Sequence, residues 1–392
     1  MTTRPLLPVL ALALALTACE GGITEPSFTH LSSISMSSSF ACGIDRAGRA
    51  YCWGTDNGSG QLGTGDNAPT AMPLPVKSGT RFTQVVTGRT HVCALADDGR
   101  AFCWGDNSES QLGVTTANLS CALVQPNGWT QDFGNACSTV PVPVETTLRF
   151  KKLGAAEQRT CGLTSGGQLW CWGTGALGDS AGVAVTDTLV RVSASTNFTT
   201  FALGPYHTCA AGTDGLGWCW GSNYNGTLGL GTALSTITYT FTPMRINSSA
   251  FIKSFALGAA HTCSLTGAGD ALCWGFGGSG QRGDSSTVAT QNDPTFVKTD
   301  RKFSAVVAAS NSTCALEAGT GAAWCWGENS AGTLGNGTTS DLVAPAKVLG
   351  GLSFSVLTMM GANYPYETTT CGVATDAVYC WGLLPQPLTF GE

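Results

Sequence analysis

Apolar and polar residues alternate along short segments of this chain, in pairs that are separated by a polar turn. Cys93 and Leu95 before the turn, and Ala101 and Cys103 after it, fall on one face of two short runs. Alternation with a period of two is typical of half-buried β-strands. A three-residue hairpin loop favours Gly at its third position, and five copies of the pattern have one there: Gly48, Gly99, Gly167, Gly215 and Gly269. The pattern predicts a β-hairpin in each copy.

The hairpin belongs to a longer unit that recurs seven times. The tripeptide Cys-Trp-Gly begins at Cys52, Cys103, Cys171, Cys219, Cys273, Cys325 and Cys380, at intervals of about fifty residues with one longer gap. Fifty residues accommodate four short strands, and one such sheet cannot bury both of its faces alone. We therefore expect an all-β fold, a seven-bladed β-propeller whose Trp residues pack between neighbouring sheets. An open β-solenoid is the alternative.

A Phe precedes the first Cys of most pairs by about eleven residues. This repeat position is assigned to Phe82, Phe150, Phe198, Phe251 and Phe303, with Phe354 set further back and Leu31 in the first copy.

Each Cys-Trp-Gly has a second Cys nine to eleven residues upstream, which the hairpin places directly opposite. Opposed residues at a non-hydrogen-bonded pair lie close enough for a disulfide. The predicted pairs are Cys42–Cys52, Cys93–Cys103, Cys161–Cys171, Cys209–Cys219, Cys263–Cys273, Cys314–Cys325 and Cys371–Cys380. Structural zinc favours Cys-x-x-Cys knuckles or His partners, and the sequence contains no Cys-x-x-Cys. Zinc and free buried thiols remain alternatives at this stage.

The N-terminal segment has the pattern of an export signal. Arg4 is the one charge before an apolar run at 6–18, which is too short to span a membrane but suits a signal-peptide core. The run ends in Leu-Thr-Ala-Cys19, which resembles the bacterial lipobox and implies cleavage before Cys19 and a lipid on its thiol. An ordinary secretory signal and a buried N-terminal helix are the alternatives. We expect an exported, membrane-anchored lipoprotein, with the outer membrane or cell surface favoured because Glu20, not Asp, follows the Cys.

The predicted organisation is a lipoprotein signal peptide at 1–18, a lipid-anchored linker at 19–27 and a propeller at 28–392. The propeller has an insertion at 114–144, which accounts for the one longer repeat interval. The insertion has its own predicted disulfide, Cys121–Cys137, so sixteen of the seventeen Cys have partners and Cys19 is the odd one.

Two irregular segments contain aromatic residues that belong to no repeat position. Trp129 lies inside the insertion, and a stapled loop loses less entropy on binding. Tyr364 and Tyr366 precede the last Cys pair. We predict these three as candidate partner-binding residues, the alternative being a surface loop whose Trp packs onto the propeller.

Composition narrows the classes of function. The chain has 392 residues, 52 Gly, 11% charged residues and a net charge of −6. Low charge with 43% apolar residues excludes a disordered chain. The scattered basic residues and the acidic balance disfavour nucleic acid as a partner.

Candidate chemistry is sparse in the sequence. His91, His207 and His261 each stand two residues before a Cys, but other copies have Phe40, Arg159, Ser312 and Thr369 there, so we predict structural hydrogen bonds and no metal site. Ser180 lies in Gly-x-Ser-x-Gly, but no helical pattern follows it as a nucleophile elbow requires. We predict no catalytic residue, no metal and no cofactor.

The motifs together resemble a known repeat. Gly258 to Leu265 reads Gly-x-x-His-Thr-Cys-Ser-Leu, and Gly58 to Gly65 reads Gly-x-Gly-Gln-Leu-Gly-x-Gly. With Cys-Trp-Gly, they are similar to the regulator of chromosome condensation repeat, over about 28–392. The resemblance implies a seven-bladed propeller, and the Cys pairs are similar to those of exported bacterial members. The founding member exchanges nucleotide on a nuclear GTPase and binds chromatin, but the lipobox and acidic balance argue against carrying that activity over.

We therefore predict a monomeric, lipid-anchored, extracytoplasmic propeller that binds a protein or glycan through rim loops without catalysis. The alternatives are a hydrolase or lyase in the central channel and a guanine-nucleotide exchange factor.

Overall fold

The computed structural model describes residues 31–115, 121–124, 130–132, 136–179, 185–193, 195–361, 368–375 and 377–382. In these residues the fold is all-β, with seven antiparallel sheets and one small hairpin.

The first three sheets, blades 1 to 3, have four strands each. Blade 1 contains β1 Leu31–Met36, β2 Phe40–Asp45, β3 Ala50–Gly54 and β4 Thr70–Pro75. Blade 2 contains β5 Phe82–Thr87, β6 His91–Ala96, β7 Ala101–Asp106 and β10 Cys137–Pro143; the hairpin of β8 Ala122–Val124 and β9 Thr130–Asp132 lies between its last two strands in the sequence. Blade 3 contains β11 Phe150–Ala156, β12 Arg159–Thr164, β13 Leu169–Thr174 and β14 Val185–Arg191.

Blades 4 to 7 repeat the arrangement. Blade 4 contains β15 Phe198–Leu203, β16 His207–Gly212, β17 Gly217–Ser222 and β18 Tyr239–Arg245, with single-turn 3₁₀ helices at Tyr224–Gly226 and Thr232–Leu234. Blade 5 contains β19 Ile252–Leu257, β20 His261–Thr266, β21 Ala271–Phe276 and β22 Thr290–Phe296. Blade 6 contains β23 Phe303–Ala309, β24 Ser312–Glu317, β25 Ala323–Gly327 and β26 Leu342–Lys347. Blade 7 contains β27 Val356–Gly361, β28 Thr368–Ala374 and β29 Ala377–Gly382 in the described residues.

The blades form a closed ring around a central channel. The first strand of each blade contacts the first strand of the next, and β27 of blade 7 contacts β1 of blade 1. The first strands are therefore innermost. The seven-bladed propeller is confirmed, and the open solenoid is wrong.

The predicted cross-strand cysteine pairs are confirmed as disulfides. In each blade the two Cys are register partners on the second and third strands, as for Cys93 and Cys103, and their Cα atoms lie 4.1 Å apart. All seven hairpin bridges share this geometry. Zinc and free thiols are therefore wrong for these pairs. The pairing arises because a hairpin with a Gly-containing turn aligns positions equidistant from the turn.

Burial between blades follows the predicted alternation. Trp104 of blade 2 is fully buried in one cluster with Phe40, Cys42 and Leu62 of blade 1. The Cys side of one sheet thus packs against the Trp side of the next. The same packing recurs around the ring, as for Trp172 of blade 3 against the Cys side of blade 2.

One assignment of the repeated Phe is wrong. Phe82, Phe150, Phe198 and Phe303 begin innermost strands and are buried, but in blade 5 that place belongs to Ile252. Phe251 lies one residue earlier and is 62% exposed. Phe255 compensates, because its ring contacts Trp274 with 6.3 Å between centroids.

The two ends of the ring differ in the loops that they bear. We call face A the end where each first strand turns into the second and each third strand leads to the fourth. Face B is the opposite end, with the hairpin turns between second and third strands and the connections from one blade to the next.

Candidate functional site

The three repeat-position histidines hold neighbouring blades together. Each is fully buried, and its Nε2 lies within hydrogen-bond distance of a Thr hydroxyl in the next blade: His91 with Thr160 at 2.9 Å, His207 with Thr262 at 2.7 Å and His261 with Thr313 at 2.8 Å. Their separate partners explain why they form no common site. The predicted structural hydrogen bonds are present.

The threonines determine which nitrogen carries the proton. The Thr313 hydroxyl donates to the main-chain carbonyl of Gln281 at 3.0 Å, so it has no second proton for His261. The Nε2–H of His261 must therefore be the donor. Burial lowers the pKa of His91 to about 4 and the pKa values of His207 and His261 to about 3 each, so all three are neutral near pH 7.

The same carbonyl also accepts the indole proton of Cys-Trp-Gly. Trp326 Nε1 donates to the carbonyl of Gln281 at 2.9 Å, alongside Thr313. The two-donor arrangement repeats at Gln111, with Trp172 and Thr160 as donors. The Thr and the Trp of each such copy thus both bond to one carbonyl of the preceding blade, which accounts for their fixed spacing. The sequence alone did not reveal these inter-blade hydrogen bonds.

In blade 5, a buried Arg takes the place of a hydrogen bond that an Asn side chain makes in other blades. In four other blades an Asn side chain accepts the main-chain N–H five residues later, as Asn107 does from Leu112 at 2.9 Å. Blade 5 has Gly277 and Arg282 at these two positions, and a Cβ on Gly277 would collide with the guanidinium. Arg282 pairs with Asp284 at 3.0 Å and donates to the carbonyl of Val288 at 2.8 Å. The coupled change could have been found by aligning the seven copies.

The channel mouth on face A is a cavity of about 500 Å³ whose described lining has few ionisable side chains. It is lined mostly by Gly, Ala, Ser and Met, among them Met36, Met359 and Met360. Its charged residues, within the described lining, are Arg89 and Glu157, which lie 4.0 Å apart. The ionisable groups of the described lining are thus one carboxylate beside one guanidinium.

An aromatic pocket of about 460 Å³ lies beside this mouth, between blades 4 and 5. Tyr206, Tyr224 and Phe276 line it together with the polar side chains of Asn225 and Asn311. Tyr206 is 51% exposed and Tyr224 is 75% exposed. Its described lining contains no charged residue. We call this cavity the aromatic pocket.

Face A is acidic in its described loops. These loops contain ten Asp and Glu, and three basic residues, of which Arg159 and Arg282 are buried. Burial lowers the pKa of Arg159 to about 10, which leaves it charged at neutral pH, and it donates to the carbonyl of Gly204 at 3.1 Å. The exposed potential of this face is therefore negative.

The base of the insertion is attached to face A. A disulfide joins Cys121 to Cys137, and the Cys121 sulfur lies 3.6 Å from the carbonyl of Ser59 in blade 1. Asn107 N–H donates to the carbonyl of Ala136 at 2.7 Å. The insertion thus begins and ends beside the loops of two blades.

Several predicted residues lie outside the described part of the chain: Cys19, Trp129, Ser180, Tyr364 and Tyr366. Within the described residues, no group of three or more His, Cys, Asp or Glu side chains is arranged to hold a metal. No helix in the described segments has the length and apolar character needed to cross a membrane.

Parts of the chain match models of a known repeat. Two models of the regulator of chromosome condensation (RCC1) repeat match the chain, one at residues 31–61, 82–111 and 252–281, the other at 47–95 and 214–265.

Two curated relatives come from Arabidopsis thaliana. The ultraviolet-B receptor UVR8 is 29% identical over 351 residues, which are 84% of this chain and 74% of the receptor. The mitochondrial RCC1 domain-containing protein RUG3 is 29% identical over 39% of this chain, which spans 32% of its length.

Solved structures share the fold. Human WBSCR16 superposes with a TM-score of 0.72 at 18% identity, covering 90% of this chain and 87% of that one. Prp20p from Saccharomyces cerevisiae gives 0.68 at 19% identity, covering 90% and 83%.

Proposed function

Because the chain carries regulator of chromosome condensation repeats in a closed ring, we propose that it is a non-catalytic binding protein. In this proposal a lipid on Cys19 anchors a monomeric propeller outside the cytoplasm, and face A binds a protein partner. Eight disulfides support an oxidising, extracytoplasmic compartment. The lipobox pattern ending at Cys19 supports the anchor.

The exposed tyrosines of the aromatic pocket carry the proposal. Tyr206 and Tyr224 present large, rigid, amphipathic surfaces on blades that disulfides staple. Tyr is enriched among the residues that dominate binding energy, and a preformed surface loses less entropy on binding. The acidic loops around the pocket favour a partner with a basic surface.

The other activities have weaker support. The channel mouth lacks a second carboxylate in its described lining, which argues against a hydrolase or lyase. A guanine-nucleotide exchange role rests on family resemblance alone. A glycan is the second candidate ligand, because aromatic faces and amides such as Asn225, in a pocket with an uncharged described lining, suit a neutral sugar.

Site-specific photo-crosslinking in the producing cell tests the proposal. A photoreactive residue at Tyr224 is expected to capture a protein partner, whereas one at the exposed Leu349, in the connection between blades 6 and 7 on face B, serves as the control. The purified partner should bind the Tyr206→Ala/Tyr224→Ala variant at least about tenfold more weakly and the Leu349→Ala variant normally, since two anchor residues commonly contribute more than about 2 kcal/mol. Equal affinity for both variants contradicts the proposal. Palmitate labelling that persists in Cys19→Ala contradicts the anchor.

A further inference from the structure

The described part of the chain begins at face B, on an innermost strand. Leu31 is the first residue of β1, an innermost strand, and β1 runs from face B towards face A. Eleven residues lie between Cys19 and Leu31, and the twelve Cα–Cα steps reach at most about 40 Å when fully extended. An anchor on Cys19 would therefore hold the start of β1, at face B, within about 40 Å of its attachment point.

Face B is basic although the whole chain is acidic. In the described residues, its hairpin turns, blade connections and adjoining strand ends contain fourteen Lys and Arg against eight Asp and Glu. Five of the eight acids already pair with face-B cations: Asp45 with Arg49, Asp98 with Arg100, Asp270 with Lys302, and both Asp300 and Glu317 with Arg301. Besides these four cations and Arg46, nine other cations of the described face B stand against three acids, so a positive excess faces solvent.

Four of these cations lie at the face-B ends of innermost strands in blades 2, 3 and 5. Arg81 and Arg149 stand directly before the first innermost residue of their blades, and Lys151 and Lys253 directly after it. All four are exposed. The Cβ of Arg81 would lie 3.2 Å from a Cβ on Gly48, which places this Arg beside the hairpin turn of the preceding blade. The cations thus lie near the inner edge of face B, the face at which β1 begins.

Two exposed aromatic residues lie among the cations of face B. Phe251, which is 62% exposed, is followed two residues later by Lys253. Phe296, which is 61% exposed at the end of β22, is followed two residues later by Lys298. Phe beside Lys and Arg is the composition of surfaces that rest in the headgroup region of an anionic bilayer.

We propose that face B docks on an anionic phospholipid surface, so that face A and its aromatic pocket point away from the membrane. The orientation part of this inference rests on the proposed lipid anchor; the charge and aromatic pattern of face B stands independently of it. Each cation near such a surface strengthens binding several-fold, and the attraction falls off within a Debye length of about 8–10 Å. The acidic loops of face A would be repelled from the same surface, which favours one orientation over its inverse.

Vesicle sedimentation with residues 19–392 carrying Cys19→Ser, which lacks the apolar run at 6–18 and cannot be acylated at that position, isolates the contribution of face B. The chain should sediment with vesicles of phosphatidylglycerol and phosphatidylethanolamine but not with phosphatidylcholine, and NaCl at about 0.5 M should release it. The variant Arg81→Gln/Arg149→Gln/Lys151→Gln/Lys253→Gln should bind at least about tenfold more weakly. Phe251→Ala should weaken binding further, by about threefold.

A variant with the same change in net charge on face A is the matched control. Ser38→Glu, Thr236→Glu, Thr287→Glu and Thr339→Glu replace exposed face-A residues and also lower the net charge by four. This control should bind like the parent chain, because the new charges face away from the lipid. Circular dichroism checks that both variants fold. The substituted side chains are exposed in the parent chain, so we expect the blade cores to stay intact.

Equal sedimentation with anionic and zwitterionic vesicles overturns the inference, and so does equal weakening by the face-A and face-B variants. Stronger capture by soluble heparin than by vesicles of matched charge overturns it as well, in favour of a polyanion. Failure of the anchor is distinguishable, because it appears as absent palmitate labelling of the natural chain and leaves the vesicle result unchanged.

Discussion

The buried histidines make the ring sensitive to mild acid. His91, His207 and His261 stay neutral in the folded state down to pH about 4, about 3 and about 3, whereas in the unfolded chain each titrates near its usual pKa of about 6.5. A depressed histidine pKa means that the unfolded state binds more protons below pH 6.5. The stability that these histidines contribute is therefore fully present above their unfolded-state pKa. It is lost as the pH falls through that pKa towards their folded-state pKa values.

The size of this loss follows from the two pKa values. Between pH 7.5 and pH 5.0, protonation of one unfolded histidine costs about 2 kcal/mol of folding free energy, and three cost about 6 kcal/mol. Carboxylates contribute little in this window. Hydrogen bonds from Arg100 lower the pKa of Asp98, and those from Thr320 and Arg301 lower the pKa of Glu317, so both lose their contribution only below their usual range.

His261→Phe separates this titration from ordinary destabilisation. Phe is tolerated at the equivalent position of blade 1, where Phe40 is fully buried. The variant loses the hydrogen bond to Thr313 and is less stable at pH 7.5, but its stability should fall by about 2 kcal/mol less than that of the parent on going to pH 5.0. Trp326→Phe is the control, because it removes another donor at the same interface without titrating. Guanidinium unfolding under non-reducing conditions at the two pH values measures the difference. Trp326→Phe should keep the pH dependence of the parent. The reasoning is refuted if His261→Phe keeps that pH dependence as well.

Three further substitutions test the blade design. Replacing Cys263 and Cys273 by Ser opens a loop of about eleven residues and should cost about 2.5–3 kcal/mol in guanidinium unfolding; no loss would mean that the bridge constrains little of the unfolded chain. Gly283→Ala should cost more than about 2 kcal/mol of unfolding free energy, because its Cβ would lie 2.7 Å from Trp326 at a φ of +68°. Gly319→Ala is the control: at a φ of +81° its Cβ meets nothing within 4 Å, so it should cost about 1 kcal/mol. Equal melting temperatures of the two variants would contradict the predicted clash. Trp274→Phe should cost about 2–3 kcal/mol through a cavity and a lost hydrogen bond to a carbonyl, and a calorimetric shift below about 1 °C would refute it.

The local sequence pattern was sufficient to predict the blades and their disulfides. The hairpin register follows from strand period and a Gly turn, which are local properties, so the spacing alone was enough to pair Cys93 with Cys103. The misplaced Phe251 shows the limit of that method. Counting back to an aromatic residue selected Phe251, but the strand begins at Ile252, because burial against Trp274 is satisfied by Phe255 further along the same strand. Spacing from the Cys, not residue type, identifies the buried position.

The binding surfaces could not be predicted in the same way, because they are made by residues far apart in sequence. Tyr206 and Phe276 share a pocket since adjacent blades bring two different loops together, and no local signal marks either one as exposed. The candidates chosen from sequence were instead irregular residues such as Trp129, which lies outside the described part of the chain. Repeat position and strand direction, once known, assign each loop to a face.

Assigning the charged residues to the two faces changes what the net charge implies about partners. A total of −6 argues against polyanionic partners only if the charge is spread evenly. In a propeller, every first strand runs from face B to face A, so residues at one repeat position all fall on the same face. Basic residues next to the start of the first strand, such as Arg149 and Lys151, therefore accumulate at face B in successive blades, while acids after the third strand, such as Asp106 and Glu328, accumulate at face A. Since screening confines each field to about 8–10 Å, a partner senses the nearer face and not the sum. One acidic chain can thus present a basic face to a membrane and an acidic face to a protein.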